Sequence, residues 1–251
     1  MKCVWIKLSV LTIISWIGTD IKVYASQDST KMNVYFISGL GADKRLFDKL
    51  MIDSAFAVKH IEWIRPQRRE TISAYAARLI SQIDTTKPFQ LVGLSFGGMI
   101  AQEMNTIIKP EHTILISTLS TGRPMDKFYR ILINGALASP LVIWMLKKPI
   151  KFTYNLFGAH TPEEKKLLTV VLKDMNNRFV RWAASQLISW KHAARIPNSF
   201  QIHGSADRII RLEWVQPDRI ISGGEHLMVY TKAAEISPIL NQELLKFYKV
   251  N

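Results

Sequence analysis

Ser95 stands in the pentapeptide Gly93-Leu94-Ser95-Phe96-Gly97, where the apolar run of residues 89–94 gives way to an amphipathic run. A serine hydroxyl is a weak nucleophile until a neighbouring base takes its proton, and that base needs an acid partner to fix its tautomer. G-x-S-x-G spacing supplies small residues around a sharp strand-to-helix turn, which pushes the hydroxyl out at the C-terminal edge of a sheet. A helix starting just after Ser95 adds its positive end and free N–H groups where negative charge would develop.

The chain has six histidines from which a base can be drawn. His60 and His112 are read at strand starts, at the edge opposite Ser95, and His160 and His192 fall in a stretch without strands. His203 ends a strand ahead of Gly204 and is read as a loop brace. His226 follows Ser222-Gly223-Gly224 after the last strand and precedes the C-terminal helix, which puts it at the edge of Ser95. Asp207, in HGSADR, lies just past the strand at 200–203, at the same edge. Of the rival acids, Glu225 adjoins His226 and reaches poorly across its ring, and Asp218 precedes its strand. The chain order Ser95, Asp207, His226 is the nucleophile–acid–base order of α/β-hydrolases. Two backbone N–H groups aimed at one point would complete an oxyanion hole. Phe96 is the first candidate donor, and Leu40, in the glycine-bearing turn SGLGAD at 38–43, is the second.

These residues need strands ending together. From residue 32 the pattern alternates strand and helix: MNVYFI, a glycine turn and a helix through ADKRLFDKL, the strand FAVKHIEWI, a helix begun by Thr71, the strand FQLVGLS, a helix to about Ile108, and the strand HTILIST. Such alternation predicts a doubly wound, mainly parallel sheet with helices on both faces. It stops over 122–197, where three or four helical patterns follow without a strand, one opened by Thr161, Pro162 and Glu164 as a capping box. It resumes with SFQIHG, a short helix near Glu213, DRIISGG and a closing helix. The reading is an α/β core at 32–121 and 198–251 with a helical cap inserted at 122–197, and about six strands, all parallel.

On SGLGAD, GLSFGG, HGSADRII and GGEHLMV the chain resembles α/β-hydrolase-fold serine hydrolases, the small bacterial members with a helical cap, over residues 32–250. The resemblance implies Ser95 as nucleophile, Asp207 as acid, His226 as base, Leu40 and Phe96 as oxyanion donors, and neither metal nor cofactor. Two departures stand out. Ser38 occupies a position where many members have histidine, and no room before Met32 exists for the fold's first two strands. The cap would cover the site, with Phe128, Trp144, Met145, Phe152, Phe157, Trp182 and Trp190 as candidate walls of an acyl pocket, although each taken singly is more readily read as cap core. Serine at the elbow argues against dehalogenase and epoxide-hydrolase chemistry, which use aspartate there. The expected activity is hydrolysis of an ester or thioester of a small or medium acyl group. A cofactor-free C–C hydrolase or lyase, and a binding protein without turnover, stay open.

A single cysteine, Cys3, excludes an intramolecular disulfide and a cysteine metal cluster. The formal net charge of +13 is spread in small groups such as Arg68-Arg69 and Lys147-Lys148, with no nucleic-acid motif. It reads as solvated surface, with weak association with an anionic envelope surface as the alternative. Lys2 and Lys7, the apolar run at 8–18 and the small residues ending at Ala25 have the layout of an export signal over residues 1–25. The expected location is therefore periplasmic or secreted, or cytoplasmic if translation starts at Met32.

Overall fold

The computed structural model describes residues 31–120, 141, 144, 147–190 and 194–249. Six strands form one sheet in the order β2-β1-β3-β4-β5-β6, and every neighbouring pair is parallel. They are β1 Met32–Ile37, β2 Phe56–Ile61, β3 Phe89–Leu94, β4 His112–Ile116, β5 Ser199–Gly204 and β6 Arg219–Ile221. β1, β3 and β4 are buried throughout, as expected of strands covered on both faces. Alternate side chains serve two cores. Val34, Phe36, Val92, Ile114 and Ile202 pack on one face, and Tyr35, Ile37, Leu91 and Leu115 on the other.

Helices α1 (Ile72–Leu79) and α2 (Phe96–Asn105) cover the second face, and the C-terminal α7 (Ala233–Lys246) covers the first. Between β4 and β5 lie α3 (Lys151–Phe157), α4 (Pro162–Asp174) and α5 (Asn177–Ser189), and α6 (Met228–Thr231) precedes α7. Local chemistry starts these helices as the sequence predicts. Thr71 Oγ1 accepts from Ala74 N at 3.2 Å, and Thr161 with Glu164 completes a capping box before α4. Leu168, Val171 and Leu172 of α4 join the core of the first face, whereas Phe179 and Ala183 of α5 join that of the second.

One expected helix is absent. After β1 the chain makes only a 3-10 turn over Lys44–Phe47. After Leu50 N closes a turn on Phe47 O at 2.9 Å, the chain hydrogen-bonds to α7: Met51 N donates to Ser237 Oγ at 3.0 Å and Asp53 N to Asn241 Oδ1 at 2.9 Å. The short helix near Glu213 is likewise a 3-10 turn, Leu212–Trp214. The export-signal segment lies outside the described residues.

Candidate active site

β3, β5 and β6 run parallel, so their C-terminal ends share one edge, and the three chemical groups emerge there. Ser95 follows β3 with φ 53° and ψ −121° and caps α2. A non-glycine residue there costs about 1–3 kcal/mol, so its surroundings must impose the conformation. Three hydrogen bonds hold its backbone: Ser95 N to Ile116 O at 2.9 Å, Gly98 N to Ser95 O at 2.9 Å, and Thr118 Oγ1 to Ser95 O at 2.6 Å. The flanking glycines answer to contact. A Cβ on Gly97 would lie 2.3 Å from Ile37 O and Ser38 O, and one on Gly93 would lie 2.5 Å from Gly98 Cα. The end of β1 therefore abuts the first turn of α2, and the 38–43 turn comes alongside Ser95.

His226 Nε2 lies 3.0 Å from Ser95 Oγ, and His226 Nδ1 donates to Asp207 Oδ2 at 2.8 Å. Nε2 is then the lone-pair nitrogen facing the serine hydroxyl. Asp207 and His226 are only 5% and 8% exposed, so the pair is shielded from water. Burial pushes the Asp207 carboxyl up, but the charge and hydrogen bond of His226, the Ile210 N–H and His203 outweigh it and hold it below its ordinary value. Its other oxygen, Oδ1, accepts from Ile209 N at 2.8 Å and Ile210 N at 2.9 Å.

The acid and base loops are joined to each other. Ser205 N donates to Ile221 O at 3.0 Å, Ala206 N to Gly224 O at 2.9 Å, and Gly223 N to Ser205 Oγ at 2.8 Å. His203 braces the acid loop from within, as its place before Gly204 suggests, with Nε2 donating to Ile210 O at 2.8 Å. Burial holds its imidazole below the ordinary pKa.

The N–H groups of Leu40 and Phe96 form no hydrogen bond among the described residues. The turn carrying Leu40 is closed by Ala42 N donating to Gly39 O at 3.0 Å, by Ser38 Oγ donating to Ala42 O at 2.5 Å, and by Trp63 Nε1 donating to Ser38 Oγ at 3.1 Å. Ser38, which stands where many α/β-hydrolases have histidine, thus braces this turn, and the brace depends on Trp63, 25 residues away. Nothing local announces that partner.

The remaining candidates disperse. Asp218 pairs with Arg195 and accepts from Gln201 N, and Glu225 pairs with His160, so neither rival acid reaches His226 Nδ1. His112 opens β4 as expected, but His60 is the fifth residue of β2, turned against Phe36 and Phe47. His192, Phe128 and Met145 lie outside the described residues. Of the expected pocket walls, Trp144 and Phe152 are 54% and 64% exposed, Trp190 is buried with Nε1 donating to Glu103, and Trp182 is inside an aromatic cluster. Phe157 meets His226, its ring 6.0 Å from the imidazole. Phe96 packs against Trp63, Phe179 and Trp182 at 5.9, 6.3 and 5.9 Å, so α5 fills the space behind the elbow.

No family model and no curated protein matches the chain. Among solved structures, a thermophilic esterase from Thermogutta terrifontis is similar with a TM-score of 0.64 at 17% identity, over 88% of this chain and 92% of that one. A carboxylesterase of the ammonia-oxidizing thaumarchaeon Nitrososphaera gargenis gives 0.64 at 16%, over 88% and 92%. The N-acyl homoserine lactonase AidH, complexed with N-butanoyl homoserine, gives 0.62 at 14%, over 88% and 91%. At these identities the likeness is one of fold, and the chain has the α/β-hydrolase fold.

Proposed function

We propose that the chain is a serine hydrolase that cleaves an ester or thioester of a small or medium acyl group. The observation that carries the reading is the unbroken line from Asp207 through His226 to Ser95 Oγ at the N-terminus of α2. Ser95 Oγ attacks the carbonyl carbon as its proton passes to His226 Nε2, and Asp207 stabilises the resulting imidazolium. The carbonyl oxygen, now an anion, takes hydrogen bonds from Leu40 N–H and Phe96 N–H. Collapse expels the alcohol or thiol, which leaves with the proton from His226. Water then adds to the acyl-enzyme, gives a proton to the same nitrogen, and the acid departs as Ser95 Oγ–H is restored.

The esterase, carboxylesterase and lactonase relatives in fold support the choice of ester chemistry, a lactone being a cyclic ester. The test is a series of 4-nitrophenyl esters of increasing chain length, with Ser95→Ala beside the parent. Turnover that falls off beyond medium acyl groups and vanishes in Ser95→Ala is expected; turnover that survives in Ser95→Ala refutes the role of Ser95. We further propose a cap over 122–197 and export by removal of residues 1–25. A mature chain beginning at Ser26 is the expected mass, and an intact Met1 on the native protein overturns export. Weak docking of the basic surface on an anionic envelope belongs to the same proposal, and binding to anionic vesicles that salt does not weaken would contradict it.

A further inference from the structure

Asp207 and His226 each have a charged neighbour in sequence, and both neighbours reach the same segment, Asn155–His160, between the core of α3 and the start of α4. Arg208, next to Asp207, donates from Nη1 to Asn155 O at 2.9 Å. Glu225, next to His226, pairs with His160 Nε2 and lies 3.6 Å from Arg208 Nη2. Between them Leu227 N donates to Phe157 O at 2.9 Å, and the Phe157 ring meets the His226 imidazole at 64°.

The segment comes this close because of Gly158. It ends α3 in the left-handed region at φ 81°, and a Cβ there would fall 2.3 Å from Glu225 Cβ. The far end is fixed to α4: His160 N and Thr161 N donate to Glu164 Oε2 at 2.7 and 2.8 Å. α4 in turn is buried on the sheet through Leu168, Val171 and Leu172. By contrast the base loop itself begins Ser222-Gly223-Gly224, and Gly223 has nothing within 4 Å of where its Cβ would be. Gly224 is packed instead, where a Cβ would fall 2.9 Å from Met228 Sδ, so the loop is anchored on its core side and Glu225 is its link to the Asn155–His160 segment.

We infer that the Asn155–His160 strap positions the catalytic base. Glu225, held by His160 and Arg208, fixes the loop that sets His226 Nε2 against Ser95 Oγ, and the serine is activated only while the strap is seated. Glu225 touches neither Ser95 nor the imidazole of His226 and is a positioning residue. Its carboxylate is only 13% exposed, whereas His160 and Arg208 are 58% and 56% exposed, so the partners reach it from the solvent side. The inference rests on the serine-hydrolase reading and links cap seating to turnover, which the site geometry alone does not.

The test compares the parent with Glu225→Ala, Glu225→Gln, His160→Leu and the double variant Glu225→Ala/His160→Leu. One readout is the rate of phosphonylation of Ser95 by a fluorophosphonate, separated into a maximal rate and an apparent affinity. Glu225→Ala should lower the maximal rate by about 10- to 100-fold with the affinity little changed, since misplacing a base by about 1 Å costs that much. Glu225→Gln, which keeps an acceptor for His160, should recover most of the loss. The double variant should be no slower than the slower single, because both remove one contact. An unchanged rate in Glu225→Ala, a loss not recovered by glutamine, or additive losses would overturn the strap's role. His160 is 58% exposed, so His160→Leu keeps the test open if Glu225→Ala fails to fold.

The second readout is hydrogen exchange at the Leu227 amide, expected to speed up at least about tenfold in Glu225→Ala. If the parent takes no phosphonate, the hydrolase reading falls, and the Leu227 amide still decides the strap: faster exchange supports it and unchanged exchange overturns it.

Discussion

Replacing Asp207 by asparagine should cut turnover by orders of magnitude through a proton placed on the wrong nitrogen, and the surrounding hydrogen bonds dictate why. Oδ1 accepts from Ile209 N and Ile210 N, and only an oxygen can fill that position. An asparagine must therefore keep its carbonyl there and turn its NH2 toward His226 Nδ1, now 2.8 Å from Oδ2. An NH2 donates, so Nδ1 must become the acceptor and the ring proton moves to Nε2. Nε2 then presents N–H to Ser95 Oγ and cannot take its proton. A triad deprived of the right tautomer in this way loses about 10⁴-fold in kcat, or about 5.4 kcal/mol of transition-state stabilisation. The loss should fall on kcat with KM little moved, because the acid touches no substrate. Asparagine is a cleaner probe than alanine, which would leave the two N–H groups unpaired at about 1–3 kcal/mol each. The assay is steady-state hydrolysis of a short 4-nitrophenyl ester, with thermal unfolding to verify the fold. A folded Asp207→Asn protein within about tenfold of the parent would refute the tautomer argument and return the acid's role to another carboxylate.

Three further outcomes follow from the same geometry. Ser38→Ala removes the link between Ala42 O and Trp63 Nε1, so stability should fall by about 1–3 kcal/mol and kcat should drop with KM little changed; denaturant titration and steady-state kinetics check both, and a parent-like kcat would detach Ser38 from the turn that carries Leu40. Gly97→Ala places a methyl 2.3 Å from two carbonyl oxygens, so the chain should lose about 1–3 kcal/mol or more and its activity with it; a protein as stable as the parent by urea unfolding would contradict the close approach. His112 is buried against Phe247 with ring centroids 4.2 Å apart, and burial, outweighing the nearby Asn198 backbone and Glu243, holds its pKa below the ordinary value. The folded state therefore favours the neutral ring, and its stability, present above the ordinary histidine pKa of about 6.5, falls as pH drops below it. His112→Phe should flatten the decline in urea midpoint between about pH 7 and pH 5; an unaltered slope would assign that decline to His203 and His60, whose pKa values burial lowers in the same direction.

The sheet was legible because its signals are local. Strands buried on both faces read as apolar runs, the turn that ends β3 carries the glycines that close contact requires, and the turn after β1 carries Gly41 at φ 63°. The order of Ser95, Asp207 and His226 along the chain, each just past a strand, placed them at one edge once the strands were taken as parallel. The misses depend on partners far along the chain. ADKRLFDKL has the composition of a helix, but Ser237 and Asn241 of α7 take the amides of Met51 and Asp53 just beyond it. Trp182 and Trp190 are candidate pocket walls in the sequence, each more readily read as core, and core is where they lie: one packs on Tyr75 and Phe96 and the other donates to Glu103 of α2. Glu225 is set aside as the acid by its adjacency to His226, but its pairing with His160 beside Gly158 depends on a partner 65 residues away.

The central claim is that Ser95 is activated, and intact mass spectrometry after exposure to a fluorophosphonate tests it most directly. Residues 26–251 should gain one adduct, mapping to Ser95, and the Ser95→Ala protein none. A folded parent that gains no adduct, or an adduct that persists in Ser95→Ala, would contradict it.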